Sequence, residues 1–149
     1  MSINLNLGCG LDIRPGWINH DITKHSKHIH VWDLNNTPWP WGDNTIDMID
    51  AISVFEHLKL TLIETLNECW RILKPTGQLH IKYPLHISCF IREDPTHRWF
   101  WGIYVTDFVD PRTKYGKGAP YYTPYKWHII NRTTSERNCW VHLVPIGKT

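Results

Sequence analysis

The strongest constraint on the fold lies in the first thirty-four residues. Three extended runs follow one another there, the first closed by a glycine turn and the other two by a carboxylate. Ile3, Leu5 and Leu7 alternate along a strand that stops at Gly8-Cys9-Gly10. Leu11 to Gly16 includes Pro15 and Gly16, so the chain enters a second short strand at Trp17 to Ile22 without completing a helix. A third strand, His30 to Leu34, ends at Asn35-Asn36. Glycine lets a backbone approach a ligand closely, and a carboxylate at the next strand's end accepts bonds from ribose hydroxyls. The order is therefore that of the nucleotide-binding half of a doubly wound sheet, although a tight turn and two strand-end caps would use the same residues. A dinucleotide fingerprint needs a third glycine near residue 13 and a helix after it. Ile13 and Pro15 stand there instead, which speaks against NAD or FAD.

Downstream, Ile46 to Phe55 is a near-continuous apolar run, as expected of a strand buried on both faces. From Leu58 to Leu73 apolar residues recur at steps of three and four, which predicts an amphipathic helix ended by Lys74-Pro75-Thr76-Gly77. Leu79, Ile81 and Tyr83 alternate with His80 and Lys82 in a strand that stops at Pro84. Leu85 to Tyr125 loses periodicity, except for a short helix expected over Phe100 to Phe108. So long an irregular stretch is usually functional, and it is expected to form the acceptor side of a site. Lys126 to Asn131 and Cys139 to Ile146 predict an antiparallel hairpin. The expected fold is α/β, a Rossmann-like sheet that is mostly parallel with an antiparallel C-terminal hairpin, in a single domain over residues 1–149.

Composition narrows the function. A net charge of +2, with no basic block longer than two residues, argues against nucleic acid as the partner. No stretch resembles a membrane span or signal peptide, and Cys9, Cys69, Cys89 and Cys139 form no C-x-x-C pair. A cytoplasmic protein with free thiols is expected. His20, His25, His28 and His30 suggest a metal cluster at first sight. Alternate strand residues point to opposite faces, however, and no cysteine or carboxylate pair completes the set, so no metal site is expected. Nine Trp in 149 residues could hide apolar surface in a homodimer.

Six ordered stretches carry a resemblance: Leu5 to Gly10, Gly16 to Asp21, Asp33 to Pro40, Asp47 to Leu58, Arg71 to Gly77 and Asp94 to His97. Together they resemble class I S-adenosylmethionine-dependent methyltransferases, in a small variant with a shortened first helix. The resemblance implies S-adenosyl-L-methionine as cofactor. It places Leu7, Gly8, Cys9 and Gly10 under the methionine and ribose parts, Asp21 on the ribose hydroxyls, Asp33 and Leu34 by the adenine, and Ser53 and Val54 beside the sulfonium end. Asn6 stands where such proteins usually carry an acid. His57, His86 and His97 are the candidate catalytic residues, since an imidazole can deprotonate or position an acceptor. Glu56-His57 could equally cap a helix, and Asp94 could simply cap a turn over His97. The implied reaction is methyl transfer to an O or N atom of a small-molecule or glycan acceptor. The alternative is a non-catalytic S-adenosylmethionine-binding module or accessory subunit.

Overall fold

A computed structural model describes residues 2–149. In chain order the strands are β1 (Asn4–Leu7), β2 (Ile18–Asp21), β3 (Ile29–Val31), β4 (Ile46–Ile52), β5 (Leu73–Pro84), β6 (Lys126–Thr134) and β7 (Asn138–Ile146). The helices are α1 (Leu62–Ile72), α2 (Cys89–Glu93) and α3 (Lys114–Gly118). Across the sheet the order is β3-β2-β1-β4-β5-β7-β6. β1 to β5 pair in parallel, and β7 runs antiparallel to both β5 and β6. This is the mostly parallel sheet with an antiparallel C-terminal hairpin that the sequence predicts.

One face of the sheet is a core. Leu5, Ile49, Leu79 and Leu143 are register partners across four strands, and so are Leu7, Ala51, Ile81 and Val141. All eight are at most 2% exposed. They pack with Leu62, Leu66, Cys69 and Ile72 of α1, and burying each large aliphatic side chain contributes roughly 1.5–3 kcal/mol. The helix starts later than its periodicity predicts because Thr61 caps it. The Thr61 hydroxyl accepts the Glu64 N–H at 3.2 Å, and the Glu64 carboxylate accepts the Thr61 N–H at 2.7 Å. At the other end Leu73 enters β5 directly, so Pro75 and Gly77 lie within a bulged strand instead of a turn. A Cβ on Gly77 would stand 2.8 Å from Leu73 Cδ2.

The opposite face is polar. Asn6, Asp50, His80 and His142 are register partners in one row. Arg14 pairs with Asp50, as does His80 Nδ1 at 3.1 Å. Further along β4, Ile52 is 38% exposed. The expectation of a strand buried on both faces is therefore wrong, and the connections explain why. The links from β1 to β2, β2 to β3 and β3 to β4 contain no helix, so no crossover helix covers this side.

Leu85 to Tyr125 also departs from expectation. The predicted helix over Phe100 to Phe108 is only a 3-10 turn at Val105–Val109. Part of the segment joins the main core, with Leu85, Trp101 and Val109 in its cluster and Ile91 and Thr106 almost fully buried. The buried Asp110 carboxylate ties it to β6 by accepting the Ile129 N–H at 2.9 Å and the Arg112 guanidinium at 2.7 Å. Asp107 pairs with Arg132.

Candidate functional site

In an open α/β sheet ligands bind beyond the carboxyl ends of the strands, where the strand order reverses. Here that point lies between β1 and β4. A cavity of about 490 Å³ opens there, within the rough range of 300–1,000 Å³ typical of small-ligand sites. Gly8 follows β1, while Ser53 and Val54 follow β4, and all three line the cavity. Gly8 has φ +57°, and a Cβ there would stand 2.4 Å from Val54 Cγ2. Only glycine permits both the left-handed backbone and the close approach of the two loops. Ser53 also has a positive φ of 56°, held by its N–H bond to the Lys82 carbonyl at 2.9 Å. Such strain concentrates at functional loops.

The glycine loop is strapped to β2. His20 is 2% exposed, and its Nε2 lies 3.0 Å from the Trp32 carbonyl, which can only accept. Nε2 is therefore the protonated nitrogen, and Nδ1 accepts the Gly8 N–H at 3.3 Å. Burial holds this imidazole below its usual pKa. Asp21 accepts the Gly10 N–H at 2.9 Å with one oxygen and the Thr23 N–H at 3.1 Å with the other. Each carboxylate oxygen accepts two bonds, so two lone pairs remain for a vicinal diol. Asp33 shapes its own turn through Asn35, whose N–H and side-chain amide reach Oδ1 at 2.9 and 2.8 Å. Trp32, Leu34 and Leu58 give the cavity apolar walls.

Of the residues assigned to the cofactor, Gly8, Asp21, Asp33, Leu34, Ser53 and Val54 line this cavity. Leu7 is a core residue beneath it, Cys9 is buried, and Gly10 contributes its N–H to Asp21. Burial and the neighbouring Asp21 push the Cys9 thiol up. Asn6 faces away from the cavity and fixes the loop after the turn, donating to the Asp12 carbonyl at 2.8 Å.

A second cavity of about 320 Å³ adjoins the first, and Ser53 and His57 line both. Glu56, Asp94 and His97 also line it. Thr96 donates its hydroxyl proton to Asp94 at 2.6 Å and so accepts from His57 Nδ1 at 2.8 Å, which leaves His57 Nε2 with a lone pair. His97 Nδ1 donates to the Ile91 carbonyl at 3.1 Å, which turns its Nε2 toward the carboxylates, 4.0 Å from Glu56 Oε1 and 3.6 Å from Asp94 Oδ2. The His57 and His97 rings stand 4.6 Å apart. Glu56 is fully buried, and neither of its side-chain oxygens has a hydrogen-bond partner. Burial pushes its carboxyl up to about 7. Burial and the neighbouring His97 hold His57 below its ordinary value. His86 is not part of this group. It is exposed and lines a separate cavity with Tyr104, Phe108 and Tyr115.

The methyltransferase domain family matches residues 5–81, just over half of the chain. The chain belongs to that family. Solved structures agree in fold. A SAM-dependent methyltransferase from Archaeoglobus fulgidus superposes with a TM-score of 0.65 at 16% identity, over 96% of this chain and 86% of that one. One from Mesorhizobium loti gives 0.67 at 9% identity, over 95% and 90%. The putative methyltransferase of Haloferax volcanii, solved in complex with the Trm112 methyltransferase activator, gives 0.65 at 13% identity, over 96% and 82%. No curated protein matches the chain. The cofactor is S-adenosylmethionine. The site suits it, with a glycine turn where a side chain would strike Val54, two strand-end carboxylates and apolar walls.

His20, Trp32 and Thr96 are site residues that the sequence reading missed. His20 carries a weak signal, since it precedes Asp21 on a strand beside the glycine turn. Thr96 lies inside the Asp94 to His97 stretch that carries the resemblance, and nothing in the sequence marks Trp32. Among the described residues no helix is long and apolar enough to cross a membrane.

Proposed function

We propose that this chain transfers a methyl group from S-adenosylmethionine to an oxygen or nitrogen atom of a small-molecule or glycan acceptor held in the second cavity. The observation that carries this reading is the shared wall between the two cavities, where Ser53 and His57 face both. The bound cofactor supplies an electrophilic methyl on a sulfonium, so the protein's tasks are alignment and exclusion of water. Asp21 takes the ribose hydroxyls, Asp33 and Leu34 flank the adenine, and Gly8 leaves room for the chain that joins them. Ser53 and Val54 border the reacting end. His57 then meets the acceptor with the lone pair of its Nε2, and His97 positions the acceptor beside it.

Incubating the protein with S-adenosylmethionine and panels of hydroxyl and amine acceptors, and measuring S-adenosylhomocysteine release, tests this. Release that depends on one acceptor class and falls at least tenfold in His97→Gln supports it. Binding of cofactor with no release for any acceptor favours the accessory-subunit reading, and the half-bare polar sheet face around His80 and Trp140 is the surface a partner would then cover.

A further inference from the structure

Among the described residues, two groups of three bring metal-ligating side chains together: Cys9, Asp21 and His25, and Glu56, His57 and His97. The first is satisfied without an ion. Asp21 holds two backbone N–H groups and His25 bonds the Gly10 carbonyl. The second is not satisfied. A carboxyl group that is fully buried with neither oxygen hydrogen-bonded is costly, and a fold rarely keeps one without a use for it.

We infer that Glu56, His57 and His97 bind a divalent first-row transition-metal ion that in turn holds the oxygen of the methyl acceptor. One donor atom from each residue lies within 4.8 Å of the others. Metal-ligand bonds of about 2.0–2.2 Å set donors roughly 3–3.5 Å apart, so the side chains need close by only about 1–2 Å. The outer hydrogen bonds already match what ligating histidines use. His97 donates Nδ1–H to a backbone carbonyl and His57 donates Nδ1–H to a hydroxyl, which fixes both rings with Nε2 as the free donor. Asp94 Oδ2 stands 3.6 Å from His97 Nε2, so a second carboxylate is at hand to balance the double charge. Two imidazoles and a carboxylate suit manganese, iron, cobalt or zinc better than the all-oxygen preference of magnesium or calcium. Three protein donors also leave positions open for acceptor and water.

The inference rests on the methyltransferase reading and specifies its acceptor side. It calls for an oxygen acceptor, because an ion at this point lowers the pKa of a hydroxyl it binds. That hydroxyl gives its proton to solvent. An oxygen lone pair forms the new bond to the methyl carbon as the carbon-sulfur bond breaks, and the bonding pair stays on sulfur. No electron is gained or lost overall. His57 and His97 then serve as ligands and not as bases.

Titrating the metal-free protein with Mn2+ alone, followed by the loss of the free-ion electron paramagnetic resonance signal, tests the site. Co2+ absorption in the visible reports nitrogen ligation. The expected result is one ion per chain, with affinity reduced about 10–100-fold in Glu56→Gln and in His97→Gln and unchanged in Asp21→Ala. If one variant fails to fold, the other carries the same expectation, and the Co2+ spectrum of the unaltered chain stands independently. The inference is overturned if neither ion binds, or if Asp21→Ala or Cys9→Ser abolishes binding while Glu56→Gln and His97→Gln do not. S-adenosylhomocysteine binding, measured separately by calorimetry, keeps the two readings apart. Cofactor binding without metal binding removes only the metal site, whereas loss of both in the unaltered protein removes the reading it rests on.

Discussion

The two cavities at the carboxyl edge of the sheet share Ser53 and His57, yet they are built in opposite ways. The first cavity is made where strands end: Gly8 after β1, Asp21 on β2, Asp33 just past β3 and Ser53 after β4. Its polar groups are already bonded to the loops they shape, with spare lone pairs left over. The neighbouring cavity gathers residues about forty positions apart, Glu56 and His57 from a 3-10 turn and Asp94 to His97 from an irregular loop, and it leaves a buried carboxyl unpartnered. One cavity is preorganised by the sheet; the other leaves the hydrogen-bonding capacity of a buried carboxyl unused.

The sharpest way to break this contrast is Gly8→Ala. The left-handed backbone costs a side chain roughly 1–2 kcal/mol and the contact with Val54 roughly 1–3 more. Affinity for S-adenosylhomocysteine should fall by about two orders of magnitude, read by calorimetry, while Mn2+ binding at the other cavity persists. Equal loss at both would mean that the cavities are one cooperative unit.

Asp21→Ala comes next. Charge-assisted bonds are worth roughly 1.5–3 kcal/mol, so cofactor affinity should drop about one to two orders of magnitude, and Asp33→Ala should cost less. A larger loss in Asp33→Ala would reverse the assignment of ribose and adenine to the two strand ends.

These two predictions rest on residues that the sequence already exposed, and the physical reason is locality. A turn glycine and a strand-end carboxylate keep their places wherever the sheet forms, so the position of Gly8, Asp21 and Asp33 beside the cavity was legible in the order of strands, while the roles proposed for them come from the family resemblance. The hairpin of β6 and β7 was equally legible from its alternation. The triad was only half visible, because Glu56-His57 and the D-P-T-H run meet through tertiary packing that no periodicity encodes. His86 shows the converse. It lies on the chain beside the right strand end but turns into a different cavity. The second face of β4 misled for a third reason: an apolar run implies burial only where a crossover helix exists to cover it.

A smaller effect should appear with pH. His20 has its folded pKa lowered by burial, with Asp21 working in the opposite direction, so the neutral ring favours the folded state. Its contribution is present above the unfolded pKa near 6.5 and is lost as pH falls through and below that value. Melting temperatures of the unaltered protein and of His20→Gln should therefore converge between pH 7 and 5. Curves that stay parallel would contradict the strap between β2 and the glycine loop.

The smallest expected effect lies outside both cavities. Thr61→Ala removes the cap of α1 and should cost about 1 kcal/mol in denaturant unfolding, with binding of both ligands unchanged. Altered cofactor affinity in this variant would show that the helix, and not the strand ends alone, sets the site.

A crystal structure with S-adenosylhomocysteine bound tests the central claim most directly. The account predicts the ribose hydroxyls on Asp21, the adenine between Asp33 and the walls of Trp32, Leu34 and Leu58, and the sulfur beside Ser53, on the side that opens toward His57 and His97. A ligand lying in the reverse sense, with its sulfur at Asp33, or one seated away from Gly8, would contradict it.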